Sequence, residues 1–319
     1  MNRTTTGVIA VVIVTVLLWW WWPTSPPPST VHVAAAGGMA CASSDPRYAD
    51  GVGTEGWCEQ AAVSDLIAGR DLDAVFGLGD YQYEEARSDD YDTVYGPTWG
   101  RVRSITRPAI GNQEYKVHDA NTFTDYFGGQ APEAATGWYS YDLGQWHVVV
   151  LNSNCALAGG CEADSEQLRW LQANLAADDH ACTIAYWHHP RWSSGLYGGD
   201  SRTDAFWRAL AADGADVVLA AHEHDYERFE PLDAEGSRAA DGVTSFVVGT
   251  GGQAVYGPDE TVGGGDLAPE RRRQADASEV RIDDRQGVLL LTLADGSFEW
   301  QFVGTDGAVL DEGNQQCNH

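Results

Sequence analysis

Short apolar runs alternate with helix-like patterns along the chain from residue 31 onward. A strand that is buried on both faces of a sheet appears as a short apolar run bounded by turn residues. Each of five such runs is followed by loop-forming or polar residues. The predicted buried strands are VHVAAAG (31–37), LDAVFGLGD (72–80), ITRPAIGN (105–112), CTIAYWHHP (182–190) and ADVVLAAHEH (215–224).

Helical patterns lie between these runs, at about 57–69, 164–177 and 203–212. In the second of them, leucines recur at a spacing that places them on one face of a helix. The stretch 137–154 predicts a hairpin that turns at Gly144–Gln145, and the chain after residue 240 is mostly β in pattern. Strands followed by helices predict an α/β fold with antiparallel strands added toward the end. The leucines of the helical pattern at 164–177 are Leu168, Leu171 and Leu175.

Polar side chains with metal-binding groups stand at the ends of the predicted strands. Alternate side chains of an extended chain point to the same side, so His222 and His224 can lean toward one point. Taken singly, an aspartate after a strand commonly caps a turn, and a histidine pair before proline can be satisfied within a loop. Because ligands bind beyond the carboxyl ends of strands in open α/β sheets, the recurrence predicts a metal site. Its candidate residues are Asp80, Tyr83, Asn112, His188, His222 and His224.

The formal net charge of −28 excludes one class of partner. A nucleic-acid backbone is bound by clustered lysine and arginine, and this chain has an excess of acidic residues. The same charge would repel an anionic substrate, unless a bound cation reversed the field locally. The composition therefore agrees with a metal site and predicts no binding of nucleic acid.

The N-terminus has the pattern of a targeting segment. After a short cationic start, Gly7–Trp22 is apolar apart from one threonine, and it ends in four tryptophans that suit a membrane interface. Its length lies between that of a signal peptide and that of a spanning helix. We expect an uncleaved anchor over residues 1–22, with a cleaved signal as the alternative. A proline-rich spacer over 23–30 would lead to a domain at 31–319.

Six cysteines fit an extracellular or cell-surface location, where disulfides persist. None stands in a C-x-x-C pair, which argues against a zinc–thiolate site. The sequence leaves 15 pairings open. The pairing we expect joins neighbours and ties down the C-terminal tail, as Cys41–Cys58, Cys155–Cys161 and Cys182–Cys317.

The ordered series G-D-x-x-Y, G-N-x-E, H-x-P and H-x-H-x-Y-E-R resembles the calcineurin-like metallophosphoesterases, most nearly their purple acid phosphatase branch. The resemblance covers residues 31–319 and implies a β-sandwich flanked by helices, a four-layer αββα fold. It also implies two metal ions bridged by Asp80, of iron, zinc or manganese. The coordination of one ion would be completed by Asn112, His188 and His222, and that of the other ion by Tyr83 and His224.

Two positions depart from that pattern. Gly38 stands where the resemblance implies a metal-binding aspartate, and Gln113 stands where it implies a histidine that contacts the substrate. An amide donates hydrogen bonds but does not titrate. We therefore expect one metal ion to bind well and the second weakly or only with substrate, so that each chain holds one or two ions. Gln113 and His189 are the candidate catalytic residues.

The expected function is hydrolysis of a small phosphate ester by a metal-bound hydroxide. The main alternative is an extracellular binding or structural module that keeps the fold with impaired catalysis. A carbohydrate-binding protein is a further alternative, since the chain has 13 tryptophans. Two other histidines, His32 and His147, are expected to be core residues. Nothing in the sequence sets the oligomeric state.

Overall fold

The computed structural model describes residues 30–54, 56–117, 120–130, 136–256 and 276–318. The predicted anchor and nearly all of the proline-rich spacer fall outside these ranges, so those assignments stay predictions. Within the described ranges, none of the helices is both long and apolar enough to cross a bilayer.

The described part of the chain contains two β-sheets of six and seven strands. The six-stranded sheet has the order β13–β12–β11–β1–β2–β3, with β1 Val31–Ala36, β2 Ala74–Gly77, β3 Thr106–Pro108, β11 Gly287–Ala294, β12 Ser297–Gly304 and β13 Val309–Gln316. The seven-stranded sheet has the order β10–β8–β9–β7–β6–β5–β4, with β4 Tyr139–Leu143, β5 Trp146–Val150, β6 Cys182–Tyr186, β7 Val217–Ala220, β8 Tyr226–Phe229, β9 Thr244–Val248 and β10 Ser278–Ile282.

The helices are short. The α-helices are α1 Gln60–Asp65, α2 Ser88–Asp90, α3 Asn121–Phe127, α4 Glu166–Leu175 and α5 Asp204–Asp213. The helix α2 continues into a π-type segment, Tyr91–Tyr95. Tighter 3-10 turns occur at Ala49–Gly51, Trp99–Ile105, Glu114–Lys116, Gly128–Gln130 and Ser201–Thr203.

Apolar side chains from both sheets form one core between them, with Phe76 of β2 and Ile184 of β6 fully buried. The helices α4 and α5 pack on the outer face of the seven-stranded sheet. The helices α1 and α3, with the aromatic segment that follows α2, pack on the outer face of the other sheet. The expected four-layer αββα sandwich is therefore confirmed.

Parallel strands bring the loops of the predicted site to one end of this sandwich. The strands β1, β2 and β3 run parallel, as do β5, β6, β7 and β9. At the carboxyl ends, the backbone N–H of Gly37 after β1 donates to the carbonyl of Val248 at the end of β9, at 2.9 Å. The carboxyl ends of the two parallel sets thus meet, and ligands of α/β proteins bind at such edges.

The local sequence explains where α4 begins and which of its faces is buried. The hydroxyl of Ser165 accepts the N–H of Leu168 at 3.2 Å and caps the first turn of the helix. Leu168, Leu171 and Leu175 are all buried on the predicted stripe. Truncating one such leucine to alanine costs about 2–5 kcal/mol of stability.

All six cysteines are paired in disulfides, as Cys41–Cys58, Cys155–Cys161 and Cys182–Cys317. The pairing expected from the sequence is confirmed. The third bond links β6 of one sheet to the residue that follows β13 of the other.

The structure corrects several expectations from the sequence and confirms one of them, the hairpin. The strands are shorter than their apolar runs, because the last residues of each run turn into the loops of the site. The predicted hairpin is present, with strands β4 and β5 on either side of residues 144–145. The glycine-rich and charged stretch 257–281 has the composition of a surface loop, but its last residues belong to β10. His32 was expected in the core and is exposed, because its side chain points to the opposite face of β1 from the buried Val31 and Val33.

Candidate metal centre

The loop after β2 places Asp80 in a fixed, unusual backbone conformation. Its φ is 56°, a left-handed value that costs energy for a residue with a side chain and is often found at functional sites. A Cβ at Gly111 would lie 2.3 Å from both the backbone nitrogen and Oδ1 of Asp80, so only glycine permits this approach. The Asp80 carboxylate is 2% exposed and points into the site.

The Asp80 carboxylate faces His188, which follows β6. Oδ2 of Asp80 lies 3.3 Å from Nε2 of His188, and Oδ1 accepts the backbone N–H of Gln113 at 2.9 Å. Burial acts to raise the pKa of Asp80, but His188 and the Gln113 N–H outweigh it and hold the pKa below its usual range. Burial acts to lower the pKa of His188, and Asp80 outweighs it, so that pKa is raised. The two groups therefore favour each other's charged forms.

The orientation of the His188 ring is set by the backbone. Nδ1 donates to the carbonyl of Leu78 at 2.8 Å, so Nε2 is left to face the site. Nε2 lies 3.0 Å from Oδ1 of Asn112 and 3.2 Å from Nδ1 of His222. With Oδ2 of Asp80, four atoms that can act as acceptors converge. One proton cannot be shared by all four atoms, whereas a metal ion can bind all four.

Tyr83 and His224 extend the site on the other side of Asp80. The Tyr83 hydroxyl donates to Oδ2 of Asp80 at 2.8 Å and lies 3.0 Å from Nε2 of His224. Burial, and then the nearby Asp80 charge, raises the pKa of Tyr83 well above its usual value. Without a cation the phenol keeps its proton.

The histidines after β7 are neutral at physiological pH. Burial, and then the charge of His188, lowers the pKa of His222 to about 3. Burial lowers the pKa of His224 to about 4. Neutral imidazole is the form that binds metals. His222 has a φ of 66°, so a second residue of the site adopts a left-handed backbone.

The two candidate catalytic residues also lie at this end of the sandwich. Gln113 is 9% exposed, and no described residue hydrogen-bonds its Oε1. Nδ1 of His189 lies 2.8 Å from the hydroxyl of Ser153, and its ring centroid is 4.4 Å from that of His222. Burial, and then His188 and His222, lowers the pKa of His189 well below its usual value. All eight predicted site residues are therefore brought together.

Gly38 lies next to the half of the site where the resemblance implies a metal-binding aspartate. Its φ is +63°, and a Cβ built there would lie 3.6 Å from Nε2 of His224. A side chain at this position would thus begin next to His224, whose Nε2 lies 3.0 Å from the Tyr83 hydroxyl. The glycine supplies no ligand, so the predicted ligands that the described residues bring to this half of the site are Asp80, Tyr83 and His224.

Three contributing residues were not predicted. Glu114 accepts backbone N–H groups of the Asp80 loop, and the G-N-x-E motif contained it without indicating this role. Ser153 contacts His189 as described above. Tyr256 stacks on the His224 ring, with centroids 4.5 Å apart and planes at 6°, and no sequence signal marked it.

The donor set fits a metal ion of the transition series. Asp80, Asn112, His188 and His222 offer one carboxylate oxygen, one amide oxygen and two imidazole nitrogens, which suits iron, zinc or manganese. Three of the histidines, His188, His189 and His222, have ligand atoms within 4.8 Å of one another. The second half of the site fits less completely, because Gly38 contributes no oxygen.

The chain is similar in sequence to a known purple acid phosphatase. No protein-family model matches the chain. Purple acid phosphatase 21 of Arabidopsis thaliana is 30% identical over 186 residues, which is 53% of this chain and 41% of that protein. The chain thus spans less than half the length of this curated relative.

Two solved structures share the fold. Purple acid phosphatase PPD1 from yellow lupin superposes with a TM-score of 0.70 at 18% identity, covering 90% of this chain and 54% of that one. GAP50, described as the anchor in the inner membrane complex of Plasmodium, superposes with a TM-score of 0.60 at 14% identity, covering 90% of this chain and 89% of that one. The resemblance to the calcineurin-like metallophosphoesterases, closest to the purple acid phosphatase branch, is confirmed.

Proposed function

We propose that this chain hydrolyses small phosphate esters at a metal centre held by Asp80, Asn112, His188 and His222. The observation that carries the proposal is the ring of His188. Its Nδ1–H is held by the Leu78 carbonyl at 2.8 Å, so Nε2 meets the Asp80 carboxylate at 3.3 Å, an arrangement that a cation completes.

A metal ion held by these residues would acidify a water molecule and polarise the phosphoryl oxygens. The residues of the chain supply the rest. Asp80 would lie between the two groups of ligands, where its two oxygens would suit a bridging role. The Asn112 amide adds a ligand without adding negative charge. Because the net charge is −28, neutral ligands help to keep the centre positive enough for an anionic substrate.

Gln113 and His189 are proposed to contact the substrate. The Gln113 side chain is buried beside Asp80, and its Oε1, which can only accept, has no hydrogen-bond partner among the described residues. Its NH2 group is the part that could donate to a phosphoryl oxygen, but the amide cannot exchange a proton with the leaving group. His189 is held by Ser153 and stays neutral, so it positions the substrate as a hydrogen-bonding group. The leaving group must then take its proton from water.

The metal content is proposed to be one ion bound firmly and a second bound weakly at Asp80, Tyr83 and His224. The missing ligand at Gly38 affects only the second ion. Ferric iron at Tyr83 would give a purple phenolate complex, whereas zinc or manganese would give none.

The decisive experiment combines metal content with turnover. The full chain is loaded with manganese, zinc or iron, its metal is counted by elemental analysis, and hydrolysis of an aryl phosphate is followed. We expect turnover that depends on metal and falls by orders of magnitude in Asp80→Asn and His188→Gln. His32→Gln, at an exposed histidine on β1, is the matched control. Metal-loaded chain without hydrolysis of any aryl phosphate monoester or diester would contradict the proposal.

A non-catalytic module is the second candidate, because Gly38 and Gln113 both lack the groups that the resemblance implies. In that case the protein would bind metal, or phosphate with metal, without turnover. The same experiment separates the two functions.

An extracellular or cell-surface location is proposed from the cysteines. Three disulfides within the described residues indicate folding in an oxidising compartment. Export through the segment 1–22 is consistent with that, and alkylation of thiols in protein taken directly from cells tests it.

A further inference from the structure

A second group of histidines and aspartates lies at the amino ends of β5 and β6. His147 is the second residue of β5, Asp142 lies opposite it on β4, and Asp178 and His180 lie in the turn between α4 and β6. Their potential ligand atoms all lie within 4.8 Å of one another. None of the four takes part in the centre described above.

The cluster is far from that centre. The centre is at the carboxyl ends of the parallel strands, beyond Val150 of β5 and Tyr186 of β6. A strand rises about 3.3 Å per residue, so the three steps along β5 from His147 to Val150 alone span about 10 Å. One ion cannot serve both groups.

The distances suit one tetrahedral ion. With metal–ligand bonds of about 2.0–2.1 Å, ligand atoms of a tetrahedral site are separated by about 3.3–3.4 Å. Nδ1 of His147 lies 3.4 Å from Oδ1 of Asp142 and 3.5 Å from Oδ1 of Asp178. Nδ1 of His180 lies 2.6 Å from the same Asp178 oxygen, so this contact would have to lengthen by about 0.7 Å.

Hydrogen bonds around His147 present Nδ1 to the cluster. The amide nitrogen of Asn174 donates to the Ser140 hydroxyl at 2.9 Å, which leaves Oδ1 of Asn174 as an acceptor. Oδ1 accepts from Nε2 of His147 at 2.8 Å. Nε2 therefore carries the proton, and Nδ1 faces two carboxylates. An outer residue that holds the second ring nitrogen in this way is a regular feature of metal-binding histidines.

Burial favours a built site over a chance surface group. The side chain of His147 is 6% exposed, that of Asp178 is 11% exposed and that of His180 is 22% exposed. Only Asp142 is largely open to solvent, at 63%. An ion can therefore enter from the side of Asp142 and meet three ligands that the fold already holds.

We propose that Asp142, His147, Asp178 and His180 form a second, separate site for a divalent transition-metal ion, with zinc as the best fit. Two imidazoles and two carboxylates are a donor set that zinc accepts in tetrahedral geometry. The ion would join the β4–β5 hairpin to the turn before β6. Its role is structural, since four protein ligands leave no open position for a substrate.

The competing explanation is an ion-pair network in which His147 and His180 are protonated. Metal counting on matched variants of the full chain separates the two. The chain is incubated with zinc, desalted and measured by elemental analysis, with circular dichroism as the check on folding. We expect wild type to hold one zinc more per chain than His180→Gln and Asp142→Asn. His32→Gln should hold as much as wild type.

A charge-reversing variant makes the test sharper. His180→Asp keeps a metal ligand but replaces an imidazole, which would be a cation in the ion-pair network, by a carboxylate beside Asp178. If zinc binds, this variant retains the extra ion, and chelation lowers its melting temperature more than that of His180→Gln. If the cluster is only an ion-pair network, all three variants and wild type hold equal zinc and respond alike to chelation. That result would overturn the proposal.

Discussion

Glu114 holds the backbone of Asp80 in place: Oε2 of Glu114 accepts the Asp80 N–H at 2.9 Å. The same carboxylate accepts the N–H groups of Tyr81 at 2.9 Å and of Gly111 at 2.8 Å. It is completely buried, and burial, with the nearby Asp80 charge, raises its pKa to about 7. One side chain thus joins the loops after β2 and β3, which carry Asp80 and Asn112, two of the proposed ligands of the main centre.

We expect Glu114→Gln to weaken metal binding at the main centre by about 10–100-fold, as loss of an outer contact to a ligand typically does. Glutamine has one acceptor oxygen, so at least one of the three N–H groups faces an NH2 group instead. The unpaired donor also costs about 1–3 kcal/mol of stability. Isothermal titration with zinc and thermal unfolding measure the two effects.

The matched control is Glu85→Gln, at an exposed glutamate in the segment that follows Asp80. It should leave the zinc affinity and the stability unchanged. If Glu114→Gln binds zinc as tightly as Glu85→Gln does, Glu114 does not position Asp80.

Gly38→Asp is expected to raise the metal content from about one toward two ions per chain. A Cβ at residue 38 lies 3.6 Å from Nε2 of His224, so the carboxylate would reach the half of the site that lacks a ligand. The positive φ is less costly for aspartate than for most residues, but the carbonyl of Gly249, 2.8 Å from the new Cβ, must move. Elemental analysis counts the ions.

Gly38→Ala distinguishes the effect of the new carboxylate ligand from that of the backbone strain, because it adds the same Cβ without a carboxylate. Its metal content should stay that of wild type. Combining Gly38→Asp with Gln113→His should also increase aryl phosphate turnover, since histidine can exchange a proton and glutamine cannot. Unchanged metal content and unchanged rate in the double variant would show that these positions do not limit the site.

The buried carboxyl group of Asp225 should cost the metal-free protein stability as the pH rises from about 4 toward 7. Burial, and then the Glu227 charge, raises the pKa of Asp225 to about 7, although Arg281 lies 2.9 Å away and offsets part of this. The pKa values of Glu223 and Glu227 are also raised, mainly by burial. A buried acid with a raised pKa contributes its stability below its unfolded value near 4, and loses it as the pH rises through the folded value.

Asp225→Asn should remove this contribution, which makes the slope of stability against pH more positive by up to one proton, or about 1.4 kcal/mol per pH unit. Denaturant unfolding between pH 4.5 and 7.5 in the presence of a chelator is the measurement. Asp241→Asn, at an exposed position, should keep the wild-type slope. Equal slopes in the two variants would mean that Asp225 ionises normally in the folded state.

Removing the Cys182–Cys317 bond with paired serine substitutions should cost about 2–5 kcal/mol of unfolding free energy. The bond closes a separation of 135 residues and joins the two sheets. The Cys155–Cys161 bond closes only 6 residues, so its removal should cost about 3 kcal/mol less on loop-entropy grounds. Denaturant unfolding of the two double variants compares them, and equal losses would rule out the loop-length explanation.

The sequence by itself determined the order of strands and helices and the residues at the strand ends. Apolar runs, the leucine stripe of α4 and the turn at 144–145 are local patterns, and local patterns fix periodicity and termination. Because parallel strands share an edge, Asp80, Asn112, His188 and His222 could be grouped before any coordinate was known.

Only the tertiary structure decided which side chains meet across elements. Glu114 under Asp80, Tyr256 on His224 and the direction of Gly38 depend on contacts between distant segments, which periodicity does not encode. His147 shows the difference most clearly: its apolar strand predicted a core residue, and it is indeed buried. Its neighbours, however, are Asp142, Asp178 and Asn174, which sheet pairing and the α4–β6 turn bring to it.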